Sequence, residues 1–320
     1  MSFNVSSLAD YTKQNAQNLV VSAVLGAKTA QLIKAQGNVM PGIKSSETIN
    51  AMDTDAIFQD GASCGWNASG STAFSQRTLT VGKIKVQEAL CQKTLETKYL
   101  QEALPAGGKY DSLVFAEQFS TRKAEKIAAQ LEVALWQGDT SSSNVNLNKF
   151  DGLSKIIAAA SASVIHANTA AYIGTPITSG TGITSANVIS IVDAVYKAIP
   201  AEIVDKPDTV IVCGTDTFRT YTIALKNANL FAYTFDGSAQ GELTIPGTTI
   251  KLVALQGLNG TSKLYATNLS NVYLGTDLLN EEEQFSIFYA QEAMEMRFAA
   301  DFKLGVQIAF PSQVVDFILA

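Results

Sequence analysis

Ser63 and His166 come first, because Gly61-Ala62-Ser63-Cys64-Gly65 fits G-x-S-x-G and His166 is the only histidine in the chain. The chemistry would be nucleophilic hydrolysis, with a strained turn between a strand and a helix exposing the serine hydroxyl. The flanks do not suit it. Only a short apolar patch precedes the motif, and Trp66-Asn67-Ala68-Ser69-Gly70 follows with no helical period. His166 lies in an alanine- and serine-rich stretch without a nearby acid motif. A serine hydrolase using Ser63 and His166 is therefore a remote alternative, and a small-residue loop that matches by chance is the favoured reading.

Other candidates thin out in the same way. Asp53-Thr54-Asp55 opens like a calcium loop, but Ile57 stands where that pattern requires Asp or Asn. Glu281-Glu282-Glu283 reads as a solvated turn between strands, and the glycines from Gly174 to Gly182 have no lysine after them to cradle a phosphate. Trp136 shares a helical spacing with Ile127, Leu131 and Leu135 and reads as core. Cys64, Cys91 and Cys213 are odd in number and widely spaced, which gives neither a disulfide framework nor a zinc ribbon and fits a reducing compartment. The expectation is a chain with no catalytic residue, no cofactor and no metal: a structural or binding protein rather than an enzyme.

Composition agrees. Hydrophobic residues make up 47% and charged residues only 16% of the 320, against about 25% charged in ordinary domains. That excludes disorder, and a net charge of −6 argues against a free-standing nucleic-acid reader. The start, MSFNVSSLADYTKQN, lacks the pattern of a secretory signal. The run from Ile156 to Ile165 is too short and too interrupted to span a bilayer, so no membrane association is expected.

The elements that would position any site are read from periodicity. Leu8, Leu19, Val20, Val24, Leu25, Leu32 and Ile33 suggest one amphipathic helix near the start. The polar stretch to Asp53 reads as an extended arm. A Gly/Ser-rich segment over 61–76 leads into an alternating stretch, Thr78 to Val86, with Gly82 as a possible bulge, which predicts a protruding two-stranded hairpin over 61–86. Residues 111–138 predict one long helix of about 40 Å, with Phe119, Ile127, Leu131 and Leu135 on its apolar face and Glu132 among the polar positions. A short helix is expected from Ser154 to Ala162, and a linker over 174–184. An α/β pattern follows: a helix from Val188 to Ile199, a buried strand from Thr209 to Cys213, and a helix capped by Thr215 or Asp216. The polar loop from Asn227 to Gly241 gathers Phe231, Tyr233 and Phe235 at low charge, a pattern suited to contact with identical neighbours. Strands are expected over Thr248–Leu255, Lys263–Ala266, Val272–Leu274, Phe285–Tyr289, Met294–Ala299, Gly305–Phe310 and Val314–Ile318.

Three stretches carry a resemblance. They are Arg77 to Val81 with Lys85 to Cys91; Ile127 to Asp139 followed by Phe150-Asp151-Gly152-Leu153; and Met296 to Ile308. In this order they resemble the major capsid proteins of tailed bacteriophages, the Hong Kong 97 fold, over about residues 60–320. The resemblance implies an α+β chain. It would have an N-terminal arm (1–60), an extended loop (61–95), a peripheral domain with a spine helix (96–183), an α/β axial domain (184–260) and closing peripheral strands (261–320). It implies self-assembly through hexamers and pentamers into an icosahedral shell around double-stranded DNA held non-specifically. Portal, scaffolding and decoration proteins would be partners, and the virion, assembled in the bacterial host cytoplasm, the location. Trp66, Arg77, Lys83, Lys85, Phe231, Tyr233 and Phe235 are the candidate intersubunit contacts. The lysine–asparagine–glutamate crosslinking set of the family's best-known member is not placed on this sequence. An encapsulin-type nanocompartment shell is the alternative within the same fold.

Overall fold

The computed structural model describes residues 25–61, 65–66, 68–91, 112–228, 241–277, 285–290, 292–293 and 295–320. In chain order the elements are α1 (Lys28–Ala35), β1 (Val39–Met40), β2 (Ser46–Thr54), β3 (Thr72–Thr80), β4 (Gly82–Cys91), α2 (Ser112–Gln137), α3 (Leu153–Ala159), β5 (Ile165–His166) and α4 (Ala170–Ile173). Then come α5 (Val188–Ala198), α6 (Ala201–Val204), β6 (Thr209–Gly214), α7 (Thr215–Asn227), β7 (Glu242–Thr244), β8 (Lys251–Leu255), β9 (Leu264–Asn268), β10 (Val272–Thr276), β11 (Phe285–Ala290), β12 (Glu295–Ile308) and β13 (Val315–Phe317).

β12 organises the first sheet. One of its edges pairs antiparallel with β4 over residues 295–304, and the other serves β11 and then β10. Its even-numbered side chains, from Met296 through Phe298, Phe302 and Leu304 to Ile308, are buried. They share a core with Ile127, Leu131 and Leu135 of α2 and with Leu153 and Ile157 of α3. Strict alternation is what a half-covered antiparallel sheet requires. The second sheet runs β5-β13-β9-β6-β8-β7. Its central strand β6 is parallel to β8, antiparallel to β9 and buried along its whole length. Val210, Val212, Val253 and Tyr265 join the α2 core, while Ile211, Cys213, Leu252, Leu264 and Phe317 pack against Val188, Ile191, Val192 and Val195 of α5. Burial pushes the Cys213 thiol up to about 12, which leaves it inert as a nucleophile at neutral pH.

Several expectations need correction. The hairpin is not 61–86. β2 pairs with β3 from Ser46↔Thr80 to Thr54↔Thr72, so the polar stretch read as arm is the outgoing strand. β4, which carries Lys83, Ile84 and Val86, pairs instead with β12. β2 hid because only Ile49 and Ala51 along it are buried. Gly82 is not a bulge within one strand. It starts β4 where a Cβ would lie 2.0 Å from the Lys149 carbonyl oxygen, a close approach that only glycine permits. The strands expected over Met294–Ala299 and Gly305–Phe310 are one strand, because Gly305 carries the ladder through. The short helix spans Leu153–Ala159. Of the helix expected near the start, α1 is the described part. The helix expected over 111–138 runs unbroken from Ser112 to Gln137.

Glu132 is the main surprise on α2. It is buried rather than solvated. Its Oε2 accepts from the Thr29 backbone N–H at 2.9 Å and its Oε1 from the Thr29 hydroxyl at 2.6 Å, while Trp136 Nε1–H donates to Thr29 Oγ1 at 2.8 Å. α1 has Ala27 at its N-cap and no side-chain cap, so Glu132 supplies from another helix the acceptor that a free first-turn N–H needs. Burial raises the Glu132 pKa, and the two Thr29 hydrogen bonds and Lys28 oppose the rise.

Two substitutions test this core. Leu131→Ala removes a buried side chain and is expected to cost about 2–5 kcal/mol in urea unfolding. Glu132→Ala is expected to cost about 1–3 kcal/mol, because Thr29 loses both acceptors in the interior. Native Glu132 takes up a proton more readily than it does in the unfolded chain, so its contribution grows as pH falls. The deficit of Glu132→Ala should therefore be larger at mildly acidic than at neutral pH. A deficit that shrinks with acidification would contradict this.

Candidate assembly surface

β2 and β3 are nine residues each, which makes a ribbon about 30 Å long. Its root is anchored. Ile43, Ile49, Leu79, Val81 and Ala309 form a small core, flanked by Met40, Tyr273 and Phe310. A Cβ on Gly305 would lie 2.2 Å from the Thr80 carbonyl oxygen, so the root sits directly on β12 at that point. Gln307 Nε2–H donates to Thr78 O at 2.7 Å. Beyond the root most side chains are polar and exposed, with threonines at Thr54 and Thr72. At the tip, Asp55 Oδ1 accepts from Ser71 N–H at 2.6 Å and the Thr54 and Thr72 hydroxyls meet at 3.1 Å, which closes the ladder.

Large apolar side chains collect on the distal part. Met52 and Phe74 are directly paired across the strands, and both are exposed. Ile57 is exposed as well, while Phe58 and Trp66 stand at 98% and 96% relative exposure. Aromatic side chains that give up nearly all burial within their own chain mark a contact surface, because leaving each in water forfeits roughly 1.5–3 kcal/mol of transfer free energy.

Trp66 lies in the segment between β2 and β3 and is exposed. Arg77 is on β3, opposite Ile49 and half-buried, and desolvation lowers its pKa. Lys83 and Lys85 are exposed, but on β4, opposite Lys303 and Asp301 of β12. Phe231, Tyr233, Phe235 and Ser63 lie outside the described residues. His166 does have an acid partner, contrary to the reading of its sequence surroundings. Its Nδ1 lies 2.6 Å from Asp316 Oδ1, and Asp316 is buried on β13. The parallel pairing of β5 with β13 brings the two together across 150 positions, a distance no local motif spans. Met52, Ile57, Phe58 and Phe74 are exposed apolar side chains that the sequence patterns do not single out. Phe58, the most exposed of them, belongs to the short apolar patch Ala56-Ile57-Phe58 between polar residues, and that patch is the available signal.

A second feature is a cleft of about 930 Å³ between α1, α2 and the first turns of α7, lined by Lys28, Glu125, Glu132, Phe218, Arg219 and Gln256. Its charges are of both signs and Glu132 is already satisfied by Thr29. Among the described residues no group of three or more His, Cys, Asp or Glu side chains could hold a metal ion. No helix among them is long and apolar enough to cross a membrane.

No family model and no curated protein matches this chain. Solved structures do. A chain of the satellite phage P4 procapsid, solved with its size determination protein, aligns at a TM-score of 0.57 and 12% identity, over 95% of this chain and 100% of that one. The capsid of an empty GTA particle aligns at 0.57 and 13% identity, over 93% and 90%. A Gordonia phage Cozz structure aligns at 0.58 and 8% identity, over 90% and 86%. The chain has the mixed α and β fold of phage capsid proteins.

Replacing Phe58 and Trp66 together with Ser removes two exposed aromatics and no core contact. The expected outcome is an unchanged circular dichroism spectrum and unfolding midpoint, with self-association in analytical ultracentrifugation weakened at least tenfold, roughly 1.4 kcal/mol. Unchanged self-association would place the contact elsewhere.

Proposed function

We propose that this chain is the major capsid protein of a tailed bacteriophage, assembling into the icosahedral shell that encloses the double-stranded DNA genome. One observation carries the reading: on a capsid fold, a ribbon whose buried contacts among the described residues lie at its root bears exposed aromatics towards its tip. A projecting element that meets a different surface on the next copy makes a head-to-tail contact, and such contacts form rings where the rotation between copies closes.

The finer assignment follows the Hong Kong 97 pattern. α2 acts as the spine helix, residues 184–260 as the axial domain, and residues 96–183 with 261–320 as the peripheral domain. The extended loop is taken as the β2–β3 hairpin, so the arm shortens to the residues before Ser46. Trp66 contacts a neighbour from the loop, with Arg77, Lys83 and Lys85 nearer its root. Phe231, Tyr233 and Phe235 do so around the five-fold and six-fold axes. Portal, scaffolding and decoration proteins and the packaged DNA are the further partners, and the virion is the place of function. The role is structural rather than enzymatic. No observation favours the encapsulin-type shell or the hydrolase.

Negative-stain electron microscopy of the purified full chain decides the matter. Regular closed shells or rings of five and six are expected. A chain that stays monomeric across protein concentration, salt and added scaffolding protein would overturn the proposal.

A further inference from the structure

Three separate segments meet at one carboxylate beneath the hairpin root. Asp277 follows β10 directly and is buried. Lys303 of β12 donates from Nζ to Asp277 Oδ2 at 2.6 Å. Lys44, in the segment leading into β2, places its Nζ 3.0 Å from Asp277 Oδ1. Backbone bonds on either side of Lys44 tie the same place together: Ile43 N–H donates to Thr276 O at 3.1 Å, and Val81 N–H donates to Ser45 O at 3.0 Å. A third lysine, Lys83, stands opposite Lys303 in the β4–β12 register.

We propose that Asp277 is the positioning residue of the hairpin, a charge latch that fixes the angle of the β2–β3 ribbon to the body and lets go when its carboxylate is neutralised. Burial works against the charge, but the hydrogen bond from Lys303 and the ion pair with Lys44 outweigh it and hold the carboxyl below the usual carboxylate range. The latch is therefore closed at neutral pH. Its contribution is present above the ordinary carboxylate value and is lost as pH falls through the lowered native one. Once Asp277 is neutral, Lys44 and Lys303 remain as like charges at the root, and their repulsion favours opening. The root then keeps its small apolar core, its backbone bonds and the Gln307 hydrogen bond to Thr78 O. That this angle governs assembly rests on the shell reading; the latch itself is a property of the unassembled chain.

Hydrogen exchange read by mass spectrometry on the unassembled full chain tests it. Lys44→Gln breaks the hairpin side of the latch at a largely exposed side chain, and Asp277→Asn removes the carboxylate. Either is expected to speed exchange of residues 43–49 and 79–82 roughly tenfold at neutral pH while α5 is unchanged. The variant-to-wild-type ratio should fall toward one as pH drops below the carboxylate range. Equal root exchange at neutral pH overturns the proposal, and so does acceleration shared equally by α5, which would be global destabilisation. Should Asp277→Asn fail to fold, Lys44→Gln alone decides. A wild-type chain that forms no shells counts against the shell reading only, since exchange at the root is measured without assembly.

Discussion

The body of the molecule is held at one buried polar junction. Glu132 and Trp136 lie four residues apart on α2, one turn along the same face, and both reach Thr29 at the start of α1. Trp136 also stacks on Tyr265 of β9, with ring centroids 5.5 Å apart and planes 22° from parallel. Gln137 donates from Nε2 to Gly257 O at 2.6 Å in the turn after β8. A single stretch of α2 thereby fixes the N-terminal helix, and fixes the second sheet relative to the first. A buried carboxylate is tolerated there because each of its oxygens is satisfied, and the resulting network resists sliding in a way that an apolar contact alone would not.

That rigidity is what allows the hairpin to project. A ribbon of two strands has too little core to hold itself in place. Its root borrows core from Ile43, Val81 and Ala309 and rests on β12, which is itself packed against α2. Towards the tip, polar threonines and a few exposed apolar side chains replace the buried ones. Along the ribbon the side chains thus pass from a buried root to an uncovered tip. Hydrophobic burial stabilises the root, and the tip has none of it within this chain.

The polar clusters outside the core follow the same division. Lys155 bridges Asp139 and Asp151 at 2.7 and 2.8 Å, and Thr140 donates to Asp151 from both its backbone N–H and its hydroxyl. This knot ties the polar loop after α2 to the Phe150-Asp151-Gly152-Leu153 turn. Exposed pairs of this kind contribute little stability but select one loop conformation. Asp277 at the hairpin root differs, since it is buried and its partners come from distant segments.

Local patterns carried much of the fold. The 3.6-residue spacing of Phe119, Ile127, Leu131 and Leu135 marked α2 almost to its ends, because a helix is made of contacts within one turn of each residue. The apolar run Thr209 to Cys213 marked β6, since burial on both faces leaves no polar positions to confuse it. What the sequence could not reveal were partnerships set by long-range pairing. β2 looked like an arm because its partner is β3 and its side chains are mostly wet. β4 looked like half a hairpin because its partner, β12, lies more than 200 residues away. The acid beside His166, the threonine above Glu132 and the two lysines around Asp277 are of the same kind. Residue type and spacing determined which segments could be helix, buried strand or loop. Only the tertiary structure decided which strand meets which and which charges end up together, because those contacts join positions that no local period relates.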